Sequence, residues 1–177
     1  LNEFPLIIKR TVEPELIKYL YELSTQNLDD TDDARYGTGK CSPDFKFFES
    51  EQPIIKKVSS DLFKLIEDVL GAKVLHNESF FNILGAGGGS KPHSHIKKHD
   101  KNFSLDKYKY SLVYYLSVGD QNCTDPGILK LYEPNFDILP ATGMGVLIPA
   151  NREHSAVYNG LKDRIMIGCN FYAARLD

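Results

Sequence analysis

The chain has 177 residues, a length that predicts one domain with a core of its own. Its 21 Lys and Arg against 24 Asp and Glu give a formal net charge of -3, a balance that disfavours a nucleic-acid partner. The longest apolar runs are only strand-sized and no N-terminal signal pattern is found, so the sequence predicts a cytoplasmic protein that does not enter the membrane.

Two amphipathic helices are predicted in the first part of the chain. Apolar residues recur at helical spacing over Pro14–Gln26 and again over Pro53–Leu70. Both segments begin with proline, whose missing N–H costs little in a first turn, and Gly71 is expected to end the second helix. Residues 27–50 between them are polar, and such a long connection is typical of a functional flap or of a disordered loop.

From Lys73 onward the pattern changes to short segments rich in Val, Ile, Tyr and Phe, separated by turn residues. Because these strands follow the helices instead of alternating with them, we expect a mostly β fold, a sandwich or jelly roll with the N-terminal helices packed on one side. Residues 1–72 would form the helical support and flap, and residues 73–177 the jelly-roll core of a single domain 1–177. The predicted strands are Lys73–His76, Ser79–Leu84, Tyr110–Ser117, Ile128–Glu133, Gly145–Pro149, Ser155–Tyr158 and Arg164–Tyr172.

Histidines are concentrated in two places, KPHSHIKKHD with His93, His95 and His99, and NREHSAV with His154. On an extended segment, residues two apart point to the same side, so His93 and His95 could face one metal ion together. His154, from another strand, could complete a set of three ligands that leaves coordination positions open, as in non-haem iron oxygenases. The glycine-rich segment 85–90 before them lacks the GK[ST] of a phosphate loop and is predicted to be a flexible strand exit.

The order of these pieces resembles that of the Fe(II)- and 2-oxoglutarate-dependent dioxygenases. The HxH pair is followed by SLVYYLS, by PGILKLYEP, by His154 in GVLIPANREHSAVYN, and by Arg164 in DRIMIGCNFY. The resemblance covers about residues 79–173 and is greatest to the prolyl-hydroxylase-like branch and its small HxH-bearing bacterial and phage relatives. It implies a double-stranded β-helix, Fe(II), 2-oxoglutarate as co-substrate, and ascorbate as a candidate reductant. It also implies a small-molecule or peptidyl substrate, such as a prolyl or other amino-acid side chain, that is hydroxylated with release of succinate and CO2.

The resemblance also assigns roles to individual residues. His93 matches the first metal ligand of the family and His154 the distal one. Arg164 matches the basic residue that binds the far carboxylate of 2-oxoglutarate, and Tyr115 matches a tyrosine that hydrogen-bonds the same carboxylate. A guanidinium suits this role because it can hold both oxygens of a carboxylate at once.

Strand alternation and residue type add further candidates for the pocket. Alternation places Tyr115 on one face of its strand and Tyr114 on the other, so only one of the two tyrosines should enter the pocket. Asparagine is disfavoured in strands unless its amide is used, which makes Asn82 and Asn170 candidates for pocket lining. Of these two, Asn82 is assigned to co-substrate binding.

One position departs from the family pattern, since His95 stands where the family has Asp or Glu. A third histidine ligand carries no negative charge and would hold Fe(II) less tightly. His95 could ligate as a neutral imidazole, the reading we favour; the position could be open to water or chloride, as in halogenating relatives; or catalysis could have been lost. Asp100 is a reserve carboxylate ligand, although its spacing from His95 does not match the family.

Two other classes of function remain open at this point. A three-histidine cupin-type dioxygenase that oxidises a thiol without 2-oxoglutarate fits the ligand set but leaves Arg164 unexplained. A non-catalytic jelly-roll binding module fits the fold alone and leaves the histidine cluster unexplained.

Overall fold

The computed structural model describes residues 3–23, 26–28, 35–36 and 39–174, so that residues 29–34 and 37–38 of the predicted flap lie outside these ranges. The described part of the chain forms twelve strands and three α-helices. The helices are α1 (Pro14–Glu22), α2 (Pro53–Leu70) and α3 (Lys98–Asn102), with single 3-10 turns at Phe47–Glu49 and Asp106–Tyr108. The strands are β1 (Leu6–Lys9), β2 (Gln26–Asn27), β3 (Arg35–Tyr36), β4 (Gly39–Cys41), β5 (Val74–Leu84), β6 (Gly88–His93), β7 (Lys109–Ser117), β8 (Leu129–Leu131), β9 (Phe136–Ile138), β10 (Met144–Pro149), β11 (His154–Tyr158) and β12 (Arg164–Ala173).

These strands form two antiparallel sheets, which confirms the mostly β prediction. The larger sheet has seven strands in the order β1-β10-β7-β12-β5-β4-β2, and the smaller has five in the order β3-β6-β11-β8-β9. The three central strands of the larger sheet, β7, β12 and β5, are also its longest. Since antiparallel strands alternate their side chains between two faces, these strands present one set of residues to each side of the sheet.

One face of the larger sheet carries the main apolar core together with helices α1 and α2. Ile165, Ile167 and Phe171 of β12 belong to the same buried cluster as Leu16 of α1 and Ile66 of α2. The other face is turned toward the smaller sheet and contributes residues such as Phe80, Tyr115 and Met166 to a second buried cluster. The alternation of β12 therefore separates a structural face from a face that lines the space between the sheets.

The second helix agrees with its prediction, and the first is shorter than predicted. Helix α2 ends at Gly71, whose φ of 66° is the left-handed conformation that glycine adopts most readily. Helix α1 ends at Glu22 instead of Gln26, because Gln26 pairs as a strand with Cys41 of β4. In the ranges described, no helix has the combination of length and apolar character needed to cross a membrane.

Two predicted strands are in fact one. The segments predicted as Lys73–His76 and Ser79–Leu84 form the continuous strand β5, which pairs with β12 along its length. The register shifts where Asn170 pairs with Glu78 but the next residue, Phe171, pairs with His76. A bulge of this kind bends the strand without ending it, and its polar residues, Asn77 and Glu78, resemble a break between two strands in the sequence.

The glycine-rich segment is also different from its prediction. Residues from Gly88 onward belong to β6 and pair with β11, so this part is an ordered strand and not a flexible exit. A Cβ atom at Gly89 would overlap the carbonyl oxygen of Ala156 on the neighbouring strand. Glycine is therefore needed at this position because β11 passes too close for a side chain.

Candidate metal centre

Three histidines meet where strands β6 and β11 of the smaller sheet end and begin. Each of His93, His95 and His154 offers a ring nitrogen, and these atoms all lie within 4.8 Å of one another. His93 and His154 lie directly opposite each other on β6 and β11. His95 lies beyond the end of β6, and its backbone N–H donates to the carbonyl oxygen of Ala150 at 2.8 Å. The cluster could therefore hold one metal ion.

The rings of two of these histidines are oriented by backbone carbonyls. Nδ1 of His93 is 2.6 Å from the oxygen of Lys91, and Nδ1 of His154 is 2.9 Å from the oxygen of Arg152. A carbonyl can only accept a hydrogen bond, so each Nδ1 carries a proton, and Nε2 is the ring atom that is left to coordinate a metal. Nε2 of His154 lies 3.2 Å from Nε2 of His95.

The charge state of His154 also suits a metal ligand. Burial, together with the neighbouring His93, lowers the pKa of His154 to about 4. Its ring is therefore neutral near pH 7, and coordination does not require the loss of a proton.

A buried cation lies in the same pocket as the histidines. Arg164, at the start of β12, is 3% exposed, and its guanidinium carbon lies 5.0 Å from the ring centre of Tyr115. Burial raises the pKa of the Tyr115 hydroxyl, although the charge of Arg164 opposes this, so the hydroxyl stays protonated. Within the described ranges, Nε of Arg164 and the Tyr115 hydroxyl have no hydrogen-bond partner. Buried donors left in this way are costly, which indicates a site for an anionic acceptor.

The predicted site residues line one pocket between the two sheets. Tyr115 faces this pocket while Tyr114 is buried in the core on the opposite face, as alternation predicts. Gly127 packs against Arg164, since a Cβ there would come within 2.9 Å of Nε. The predicted residues that line the pocket are His93, His95, His154, Arg164, Tyr115, Asn82 and Asn170.

A polar row of three residues lies at the far end of the pocket, and the sequence indicates only one of them, Asn170. Ser111, Asn170 and Glu78 lie opposite one another on β7, β12 and β5. Ser111 Oγ donates to Asn170 Oδ1 at 2.6 Å, and Asn170 Nδ2 donates to Glu78 Oε2 at 3.2 Å. Asn170 is six residues from Arg164, or about 20 Å along an extended strand. Alternation backward from Tyr115 would have identified Ser111 as a pocket residue.

Asp100 is not placed as a metal ligand, which corrects its assignment as a reserve carboxylate. Its side chain is fully buried, and Oδ2 pairs with Lys109 Nζ at 2.9 Å while Oδ1 accepts from the Tyr172 hydroxyl at 2.5 Å. Oδ2 also accepts from the backbone N–H of Lys97 at 2.7 Å. Burial alone would raise the pKa of Asp100, but the bonds from Tyr172, Lys97 and Lys109 lower it to about 2. Both carboxylate oxygens of Asp100 are therefore engaged by protein groups instead of a metal.

Asp100→Asn should destabilise the protein in a pH-dependent way. The pKa of Asp100 falls from 3.8 to about 2 on folding, so the ionised carboxylate contributes about 2 kcal/mol at neutral pH. A group whose pKa is lowered on folding stabilises the folded state above its unfolded pKa and loses this effect as the pH falls toward the folded value. Urea unfolding of wild type and variant measures the free energy of unfolding at pH 7, 5 and 3.5. The difference between the two proteins should be similar at pH 7 and 5 and smaller at pH 3.5. A difference that is the same at all three values would contradict an ionised Asp100.

Comparison with known proteins finds solved structures that have a similar fold. No protein-family model matches the sequence, and no curated protein matches it. Among solved structures, the chain is similar to the viral collagen prolyl hydroxylase of Paramecium Bursaria Chlorella virus-1 in its 2OG complex, with 12% identity, a TM-score of 0.69 and 97% of each chain covered.

Two further structures show the same likeness. A Trichoplax adhaerens prolyl hydroxylase, in complex with a hypoxia inducible factor peptide fragment, is 15% identical over 94% of this chain and 83% of its own, with a TM-score of 0.68. HygX from Streptomyces hygroscopicus, with nickel, 2-oxoglutarate and hygromycin B bound, is 11% identical over 94% of this chain and 82% of its own, with a TM-score of 0.70. At these identities the comparison shows that the chain shares their fold.

Proposed function

We propose that this chain is an Fe(II)- and 2-oxoglutarate-dependent dioxygenase of the prolyl-hydroxylase-like branch, folded as one double-stranded β-helix domain. The observation that carries the proposal is that one pocket holds both the histidine cluster and the buried Arg164, whose Nε has no hydrogen-bond partner among the described residues. A metal site explains the first of these features, and a carboxylate co-substrate explains the second. The likeness to 2-oxoglutarate-binding structures supports the same combination.

The donor set suits Fe(II). His93, His95 and His154 supply three imidazole nitrogens from one side, which leaves positions for a co-substrate and dioxygen. Bound iron would supply the oxidation, in which 2-oxoglutarate is converted to succinate and CO2 while a substrate is hydroxylated. The protein contributes binding, orientation and the exclusion of water.

Arg164 and Tyr115 are proposed to hold the far carboxylate of 2-oxoglutarate. The guanidinium would hold the carboxylate oxygens and balance their charge, and the Tyr115 hydroxyl would donate a further hydrogen bond. Asn82 lies beside this pair, since Met166 of β12 pairs with Tyr115 on one side and with Asn82 on the other. Asn82 is therefore proposed as the third co-substrate residue.

The proposed substrate is a prolyl or other amino-acid side chain, free or within a peptide. Two of the similar structures are prolyl hydroxylases, one of them solved with a peptide. With the co-substrate at the Arg164 end, the end with Ser111 and Asn170 would be free for the substrate. Ascorbate would act as the reductant that keeps the iron in its Fe(II) state.

Release of succinate tests this function against its rivals. We expect the purified protein, given Fe(II), 2-oxoglutarate and ascorbate in air, to form succinate, and His154→Ala to form none. Metal binding without any affinity for 2-oxoglutarate would favour the three-histidine cupin-type dioxygenase. Failure to bind metal at all would favour a non-catalytic binding module.

The geometry favours His95 as a ligand over an open position. Its Nε2 lies 3.2 Å from Nε2 of His154, so the ring points into the cluster. Asp100 is engaged elsewhere and offers no replacement. His95 is therefore proposed as a neutral third ligand.

His95→Asp should tighten metal binding and His95→Ala should weaken it. Aspartate adds a negative charge in the coordination shell, whereas alanine removes a ligand atom. The measurement is Mn(II) affinity by calorimetric titration at pH 7.5, and we expect the order His95→Asp, wild type, His95→Ala from tight to weak. Ser94→Asp is the matched control, because it puts the same charge on the neighbouring, exposed residue. Equal tightening by Ser94→Asp would mean that the added charge acts at a distance and not as a ligand.

A further inference from the structure

His95 differs from the other two histidines in how the backbone holds it. His93 and His154 belong to strands that pair directly with each other, so the ladder fixes both positions. Strand β6 ends at His93, and His95 precedes the short helix α3 in a connecting segment. A ligand outside the sheet needs another contact to hold it at the metal.

A buried ion pair supplies such a contact. Asp100 in α3 and Lys109 at the start of β7 both have side chains with 0% exposure, and their charged atoms are 2.9 Å apart. The Asp100 carboxylate also accepts the backbone N–H of Lys97, two residues after His95. The connecting segment is thereby attached to a central strand of the larger sheet.

Backbone hydrogen bonds connect His95 to Lys109 by a second route. The N–H of His95 donates to the oxygen of Ala150, and the N–H of Ala150 donates to the oxygen of Lys109 at 3.0 Å. Lys109 therefore holds His95 from two directions, through Ala150 by backbone bonds and through Asp100 by its side chain.

We propose that the Asp100–Lys109 ion pair positions His95 as the third metal ligand. Asp100 and Lys109 are positioning residues, since neither contacts the metal, and the inference rests on the proposed metal site. Burying two charges costs free energy, and an apolar pair of similar volume often gives a protein that is as stable. Stability alone therefore does not explain the presence of this ion pair. Holding a ligand in a fixed geometry gives it a specific role.

The test is a double-mutant cycle on metal affinity. Asp100→Asn should weaken Mn(II) binding about 10- to 100-fold, the usual effect of losing a group that orients a ligand. In a His95→Ala background the same change should have no further effect, because the ligand that it positions is absent. The Co(II) absorption spectrum of Asp100→Asn should shift toward that of His95→Ala. Glu13→Gln is the matched control, since Glu13 is a mostly buried acid paired with Arg10, outside the pocket, and should leave the affinity unchanged.

Each outcome decides the proposal. Wild-type affinity in folded Asp100→Asn, or an equal loss in both backgrounds, would overturn it and show a purely structural pair. If Asp100→Asn fails to fold, Tyr172→Phe removes a single bond to the same carboxylate and should give a smaller loss that again depends on His95. Unchanged affinity in His95→Ala would overturn this inference alone, whereas absence of metal binding by wild type would overturn the proposed function as well.

Discussion

Replacing His154 with alanine is expected to weaken Mn(II) and Fe(II) binding by more than about 100-fold, since even the loss of a group that only orients a ligand costs 10- to 100-fold. His154 is buried, kept neutral by its surroundings, and oriented by the Arg152 carbonyl, so its Nε2 is prepared to coordinate before metal arrives. Calorimetric titration with Mn(II) in the absence of oxygen measures the effect directly. Turnover should be lost in parallel.

His76→Ala is the control for the loss of a histidine. His76 bonds to Ser79 and packs near Phe48 and Phe63, outside the cluster. Its replacement should leave metal affinity unchanged. Wild-type affinity in His154→Ala would remove the cluster from consideration as the metal site.

Arg164→Ala is expected to weaken 2-oxoglutarate binding about 10- to 100-fold while Mn(II) affinity stays unchanged. A hydrogen bond from a charged group contributes about 1.5–3 kcal/mol, which corresponds to this range. The effect should be confined to the co-substrate because Arg164 is proposed to contact only its far carboxylate. Titration of the Mn(II)-loaded protein with 2-oxoglutarate, without oxygen, separates the two affinities.

Arg152→Ala is the control for the loss of an arginine. Arg152 is close to His154 in the chain, but its guanidinium donates to the carbonyls of Tyr132 and Pro134 and it does not line the pocket. Its loss should leave 2-oxoglutarate binding intact. If instead Arg164→Ala binds 2-oxoglutarate as wild type does, the carboxylate is held elsewhere and the assigned role of Arg164 is wrong.

The sequence predicts those parts of the fold that depend on local pattern. Helix α2 was predicted at its observed bounds because its apolar spacing and its Gly71 end are both local signals. Strand β1 was not predicted, because its four residues gain their structure by pairing with β10, far along the chain. The strand that begins at Gly88 is hard to predict for a similar reason, since only the close approach of β11 explains Gly89.

For the candidate site, the sequence was informative about residue types and less so about their neighbours. The HxH spacing points to His93 and His95, the family resemblance points to Tyr115, and all three line the pocket. The role of Asp100 cannot be predicted from the sequence, because a carboxylate five residues from His95 resembles a reserve ligand until its buried partner is known. That partner, Lys109, gives no signal in the sequence, since lysine is almost always exposed.

The two faces of β12 have a consequence for how proteins with this fold diverge. Ile165, Ile167 and Phe171 need only be apolar and of suitable volume to keep the sheet packed on the helices, a requirement that many sequences meet. Met166 and Asn170, at intervening positions on the same strand, face the pocket and are not part of that main core. New substrates could therefore be accommodated by exchanging alternate residues while the scaffold stays stable. Chains that share 11–15% of their residues with this one can thus keep its architecture.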